Sequence, residues 1–156
     1  MNTKRRIFLK GTMAGSTIAI AASAGLLNPR QVLAAWPKEA FTAKDLNAGL
    51  KGIYNADAAT TSSEIDVKTP DIAENGAVVP VTINTSLKDV ESISLFVEEN
   101  ATPLTAVFNL GPSAVSTVST RIKMGKTSNV AAVVKAGGAL YINRKEVKVT
   151  VGGCGG

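Results

Sequence analysis

From Glu64 onward, apolar residues recur at every second position, and that alternation restricts the chain to half-buried β-strands. The sets are Ile65 and Val67; Val79, Val81 and Ile83; Ile93, Leu95 and Val97; Val118, Ile122 and Met124 around Thr120; and Val147, Val149 and Val151. A strand turns successive side chains to opposite faces, so each set lies on one face while its polar neighbours meet water. Turn residues separate the sets at Glu74-Asn75-Gly76, across 100–103, and at Gly111-Pro112, Met124-Gly125 and Gly137-Gly138. About seven short strands at this spacing predict an all-β domain, an immunoglobulin-like antiparallel β-sandwich, with a small barrel as the alternative. Pro80 cannot donate to a ladder, so the strand around Val79 and Val81 is expected at a sheet edge or a bulge.

Ahead of the strands the period changes. Leu46, Leu50, Ile53 and Tyr54 fall at i, i+4, i+7 and i+8, and Lys44, Asp45, Asn47 and Lys51 lie elsewhere, which predicts one amphipathic helix over 37–54 that packs on the sheet. Residues 55–63 are small and polar and read as a linker. Only seven aromatic residues occur in the chain, so the core must be built from Val, Ile, Leu and Ala.

The N-terminus carries Lys4-Arg5-Arg6-Ile7-Phe8-Leu9-Lys10, a twin arginine followed by Phe-Leu-Lys, the mark of twin-arginine export. Residues 11–27 are mildly apolar and rich in Ala and Gly, too short and too weak for a membrane span of about 20 apolar residues. Val32-Leu33-Ala34 precedes a cut, and the mature chain is expected to begin near Ala35 in the periplasm. The predicted organisation is therefore a signal peptide over 1–34, a helix and linker over 35–63, a β-sandwich over 64–151 and a mobile arm over 152–156. Five of the 17 basic residues and none of the 12 acidic ones lie in the signal, leaving twelve of each and no formal net charge in the mature part. The basic character of the whole chain belongs to targeting, and it supports neither nucleic-acid binding nor, after cleavage, membrane binding.

The arm reads Gly152-Gly153-Cys154-Gly155-Gly156, and Cys154 is the only cysteine. Glycine lacks a Cβ, so Gly152, Gly153, Gly155 and Gly156 leave the thiol free to approach another surface closely. Five residues at 3.3–3.6 Å each reach about 17 Å. The chain has no histidine, and Lys148 is six residues upstream, so the sequence supplies nothing that would poise a catalytic thiolate. Cys154 reads as an attachment point acted on by others. Prenylation needs Cys-a-a-X, and only Gly155-Gly156 follow. An odd cysteine in an exported chain can also link two copies as a disulfide-bonded homodimer. No G-x-G-x-x-G, P-loop, CxxC or His ligand is present, so no cofactor and no metal site is expected. Scattered Ser, Lys, Asp and Glu form no catalytic constellation, and the chain is expected to be a carrier rather than an enzyme.

Together, the twin-arginine signal, the β-rich domain, the segment Ile93-Ser94-Leu95-Phe96-Val97-Glu98-Glu99-Asn100 followed by Pro103, the segment Thr120-Arg121-Ile122-Lys123-Met124 and the Gly-Gly-Cys-Gly-Gly end resemble the SoxY family. These are sulfur-carrier subunits of the periplasmic Sox thiosulfate-oxidation system. Ala101-Thr102 sits where the resemblance leads one to expect a more Asn-Pro-like turn. The resemblance implies that Cys154 covalently holds the substrate while thiosulfate is coupled to it, sulfate is hydrolysed away and the remaining sulfane sulfur is processed. It implies a heterodimer with SoxZ, exported folded, and visits to SoxAX, SoxB and SoxCD, which supply the haem and metal chemistry. Two other readings remain: a structural periplasmic β-domain whose tail forms an interchain disulfide, and a ubiquitin-like carrier activated at Gly156, against which export from the ATP-containing compartment counts.

Overall fold

The computed structural model describes residues 37–150. The signal over 1–34, Val151 and the arm residues Gly152, Gly153, Cys154, Gly155 and Gly156 lie outside the described residues. Two helices come first, α1 (Lys38–Thr42) and α2 (Leu46–Tyr54). Nine strands follow: β1 (Thr60–Thr61), β2 (Ile65–Lys68), β3 (Ile72–Ala73), β4 (Val79–Thr85), β5 (Val90–Val97), β6 (Leu104–Asn109), β7 (Thr117–Ile122), β8 (Ser128–Ala136) and β9 (Ala139–Val149).

The strands make two sheets. The larger runs β1-β9-β8-β5-β6, with β3 also pairing to β9, and the smaller runs β2-β4-β7. The long ladders are antiparallel, and β1 and β3 add short parallel pairs to β9. The β8–β9 hairpin closes Ala136 onto Ala139 through Gly137 and Gly138, both at positive φ (56° and 78°), the backbone that a two-residue hairpin of matching twist requires.

Between the sheets, Ile93, Leu95 and Val97 of β5 and Val130, Ala132, Val134 and Ala136 of β8 meet Ile65, Val67, Val79, Val81, Ile83, Val118, Ile122 and Met124. The alternate residues of the same large sheet, Phe96, Ala131, Val133 and Ile142, form a second core with Leu104 and with Ala40 and Leu50 of the helices. The domain is thus three layers deep. Covering both faces erases alternation in the central strands: β5 is buried without interruption from Ser92 to Val97. Ser92 and Ser94 fall on the helix-facing side, and both are hydrogen-bonded to the Tyr54 hydroxyl, at 3.0 and 2.6 Å. Burial of these hydroxyls would otherwise be costly.

The single helix expected over 37–54 is instead two. Asp45 is extended (φ −142°) and its Oδ1 accepts from Ala48 N at 2.7 Å, so it caps a new helix rather than continuing the old one. The face Leu46, Leu50, Ile53 and Tyr54 packs on the sheet as its spacing predicts. The expected linker over 55–63 contains β1, whose two exposed threonines carry no alternation to read. Pro80 sits in the middle strand of the small sheet, beyond the end of its β2 ladder at Thr82, so on that side it is locally an edge.

α1 lies against α2 closely enough that a Cβ on Gly52 would stand 2.8 Å from Ala40 Cα and 2.9 Å from its backbone nitrogen. Gly52→Val is therefore expected to lift α1 from α2 and to cost about 1–3 kcal/mol of stability, read as a lower urea midpoint. An unchanged midpoint would show that α1 yields freely.

Candidate functional site

The last described element before Cys154 in the sequence is β9, and its end is held on both edges. On one edge, Lys148 N donates to Asp71 O at 2.9 Å and Thr150 N to Ala73 O at 3.1 Å, with Ile72 opposite Lys148 and Ala73 opposite Val149. Lys145 Nζ reinforces this strap by reaching Thr69 O at 2.8 Å and Asp71 Oδ1 at 3.0 Å. On the other edge the β8 ladder stops at Ser128 opposite Val147. Val149 N then donates to Thr127 Oγ1 at 3.0 Å.

Beneath that end, Val149 packs against the core between the sheets. Gly76 passes so close that a Cβ there would run into Met124 O and stand 2.9 Å from Val149 Cγ1. The Gly76 carbonyl accepts from Met124 N at 2.7 Å. The loops around this end are tied to each other by Asn100, whose Nδ2 donates to Lys123 O at 2.8 Å and whose Oδ1 accepts from Gly125 N at 3.0 Å. Two segments that looked separate in sequence, 93–100 and 120–124, thus meet in the loops beside the end of β9.

Lys126 and Glu99 pair across the same loops at 2.8 Å. The hydrogen bond and charge of Lys126 hold the Glu99 carboxyl below its ordinary value. A lowered carboxylate contributes above its unfolded pKa and is lost only as pH falls through the folded one, so this pair persists through neutral pH. Both side chains are more than half exposed, and the pair contributes little to stability. Glu98 takes Arg144 Nε at 2.7 Å and Asn129 Nδ2 at 3.0 Å, joining the β5 end to β9 and β8. Ile72 and Val78, 57% and 52% exposed, are solvent-facing apolar residues in the segment that leads through β3 into β4.

Among the described residues, no group of three or more His, Cys, Asp or Glu is placed to hold a metal. No helix among them is long and apolar enough to cross a membrane. What this end of the sandwich can do chemically is hold a strand terminus fixed. Cys154 and its four glycines lie beyond it, outside the described residues. Thr127 and Asp71 were not singled out from the sequence, and Gly76 was noticed only as a turn residue. A lone Thr in a Gly-Lys-Thr-Ser turn carries no signal, and Asn100 and Gly76 lay inside segments already singled out, though nothing in the sequence tied them to the end of β9.

The family described as "Sulfur oxidation protein SoxY" matches residues 50–154. Among solved structures, the sulfur carrier protein SoxY from Chlorobium limicola f. thiosulfatophilum is 42% identical with a TM-score of 0.60, over 65% of this chain and 93% of that one. The superoxide reductase (neelaredoxin) of Ignicoccus hospitalis is 16% identical with a TM-score of 0.51, over 55% of this chain and 80% of that one, a likeness of fold alone. No curated protein gives a significant match.

Proposed function

This chain belongs to the SoxY family of sulfur oxidation proteins, and on that premise we propose that it is a covalent carrier which holds intermediates of thiosulfate oxidation on Cys154 and presents them to successive enzymes. The observation that carries this reading is that the family match runs through residue 154, so it takes in the glycine-flanked cysteine as well as the sandwich. Cys154 lies four residues past Thr150, a reach of about 13 Å from the last fixed hydrogen bond among the described residues. That distance suits entry into a partner's active site.

In the proposed cycle the thiol and thiosulfate join through a new S–S bond, releasing one proton and two electrons to an external acceptor. Hydrolysis of the terminal sulfonate then releases sulfate and leaves a persulfide on Cys154. The chain contributes the nucleophilic sulfur and its delivery; the electron acceptor and the hydrolytic centre belong to visiting enzymes, SoxAX and SoxB, with SoxCD acting on the sulfane sulfur. SoxZ is the proposed stable partner, and export of a folded pair explains a twin-arginine signal on a chain with no cofactor motif.

Two results test this assignment. Protein recovered from the periplasm is expected to begin near Ala35, and a retained Arg5-Arg6 on N-terminal sequencing would refute cleavage. Gly153→Val is expected to slow sulfur delivery about tenfold in a system reconstituted with the partner enzymes, equivalent to about 1.4 kcal/mol of hindered approach. The unfolding midpoint should not move. Unchanged rates would remove the steric role of the glycines.

A further inference from the structure

We propose that Thr127 is a positioning residue that fixes the pivot of the carrier arm at Thr150, an inference that rests on the carrier reading of Cys154. β9 outlasts its neighbour: β8 pairs with it only as far as Ser128 opposite Val147. Past that point its amides alternate between two kinds of acceptor. Lys148 and Thr150 donate to backbone carbonyls of Asp71 and Ala73, whereas Val149, pointing the other way, has the Thr127 hydroxyl as its acceptor. A side chain here does the work of a missing strand residue.

The consequence is geometric. With both edges held, Thr150 is the last amide among the described residues with a fixed acceptor, and the carrier reading makes it the pivot from which Cys154 is delivered. Without the hydroxyl, Val149 is held on one edge by a two-residue parallel strap, Ile72 and Ala73, and its side chain must keep its place against Gly76 and Met124 unaided. Short one-sided pairing frays, and the pivot then retreats toward Val147, the last residue paired to β8. The arm grows by about three residues, and a longer flexible link dilutes the thiol at any partner site. The surroundings are built to keep Thr127 in place: Asn100 bonds Lys123 and Gly125 on one side of it, and Ser128 Oγ accepts from Glu99 N on the other.

The test compares the mature protein with Thr127→Val, which keeps the shape and loses the hydroxyl, and Thr127→Ser, which keeps the hydroxyl. Hydrogen exchange at the Val149 amide is expected to quicken about fivefold in Thr127→Val, the equilibrium equivalent of one net hydrogen bond. A nitroxide on Cys154 should become more mobile in the same variant, and Thr127→Ser should restore both readouts. Equal exchange and mobility in all three proteins, or a Ser variant that behaves like the Val variant, would overturn the proposal. Neither readout depends on sulfur chemistry, so failure of the pivot and failure of the carrier assignment are separately visible.

Discussion

Cys154→Ser is expected to abolish thiosulfate-dependent turnover completely while leaving the folded domain, and the association proposed with SoxZ, intact. The proposed cycle depends on a sulfur that can be oxidised to an S–S bond and later accept its release as a thiol. A serine hydroxyl at that position is neither a comparable nucleophile without an adjacent base nor able to form a persulfide. No histidine exists in the chain to activate it. The substitution exchanges one atom in a glycine-flanked tail beyond the described residues, so stability should change by no more than about 0.5 kcal/mol. Reconstituted turnover with the partner enzymes, alongside a urea melt, gives both readings. Normal turnover by the serine variant would refute covalent carriage.

Phe96→Ala is expected to have the largest effect on stability, a loss of about 3–5 kcal/mol, a large share of what a domain of this size possesses. Phe96 is fully buried in the layer between the large sheet and the helices, with Leu50, Ala40, Leu104, Ala131, Val133 and Ile142 around it. The fit leaves little room to relax, since a Cβ on Gly49 would stand 2.7 Å from Phe96 Cε1. Removing the ring leaves a cavity under α2 and weakens the docking that also brings the Tyr54 hydroxyl to Ser92 and Ser94. A urea midpoint shift equivalent to less than about 1 kcal/mol would mean that the helix layer collapses freely, against the packing described.

How far the fold could be read in advance depended on how many faces of a strand are covered. β2 and β4 keep a polar face, and their Ile65, Val67, Val79, Val81 and Ile83 were legible as strands. β8, with Val130 through Val134 all buried, has no alternation, and neither it nor β6 announces itself by period. The helix break was lost because a capping Asp inside an amphipathic stretch looks like any polar-face residue. It acts through its own backbone conformation and one hydrogen bond to Ala48. The proposed carrier residue, Cys154, could be singled out because its signal is local: an isolated cysteine among glycines needs no tertiary structure to be noticed. The root of the arm was not, since Thr127, Asp71, Gly76 and Asn100 act through contacts between loops far apart in sequence.

The central claim, that Cys154 carries sulfur, is most directly tested by the intact mass of the protein purified from thiosulfate-grown cells, before and after reduction, with fragmentation to locate any adduct. Reducible additions of sulfur, or of sulfur with oxygen, on Cys154 are the predicted result. An unmodified thiol, or a chain-to-chain disulfide and nothing else, would contradict the carrier account and favour a structural β-domain.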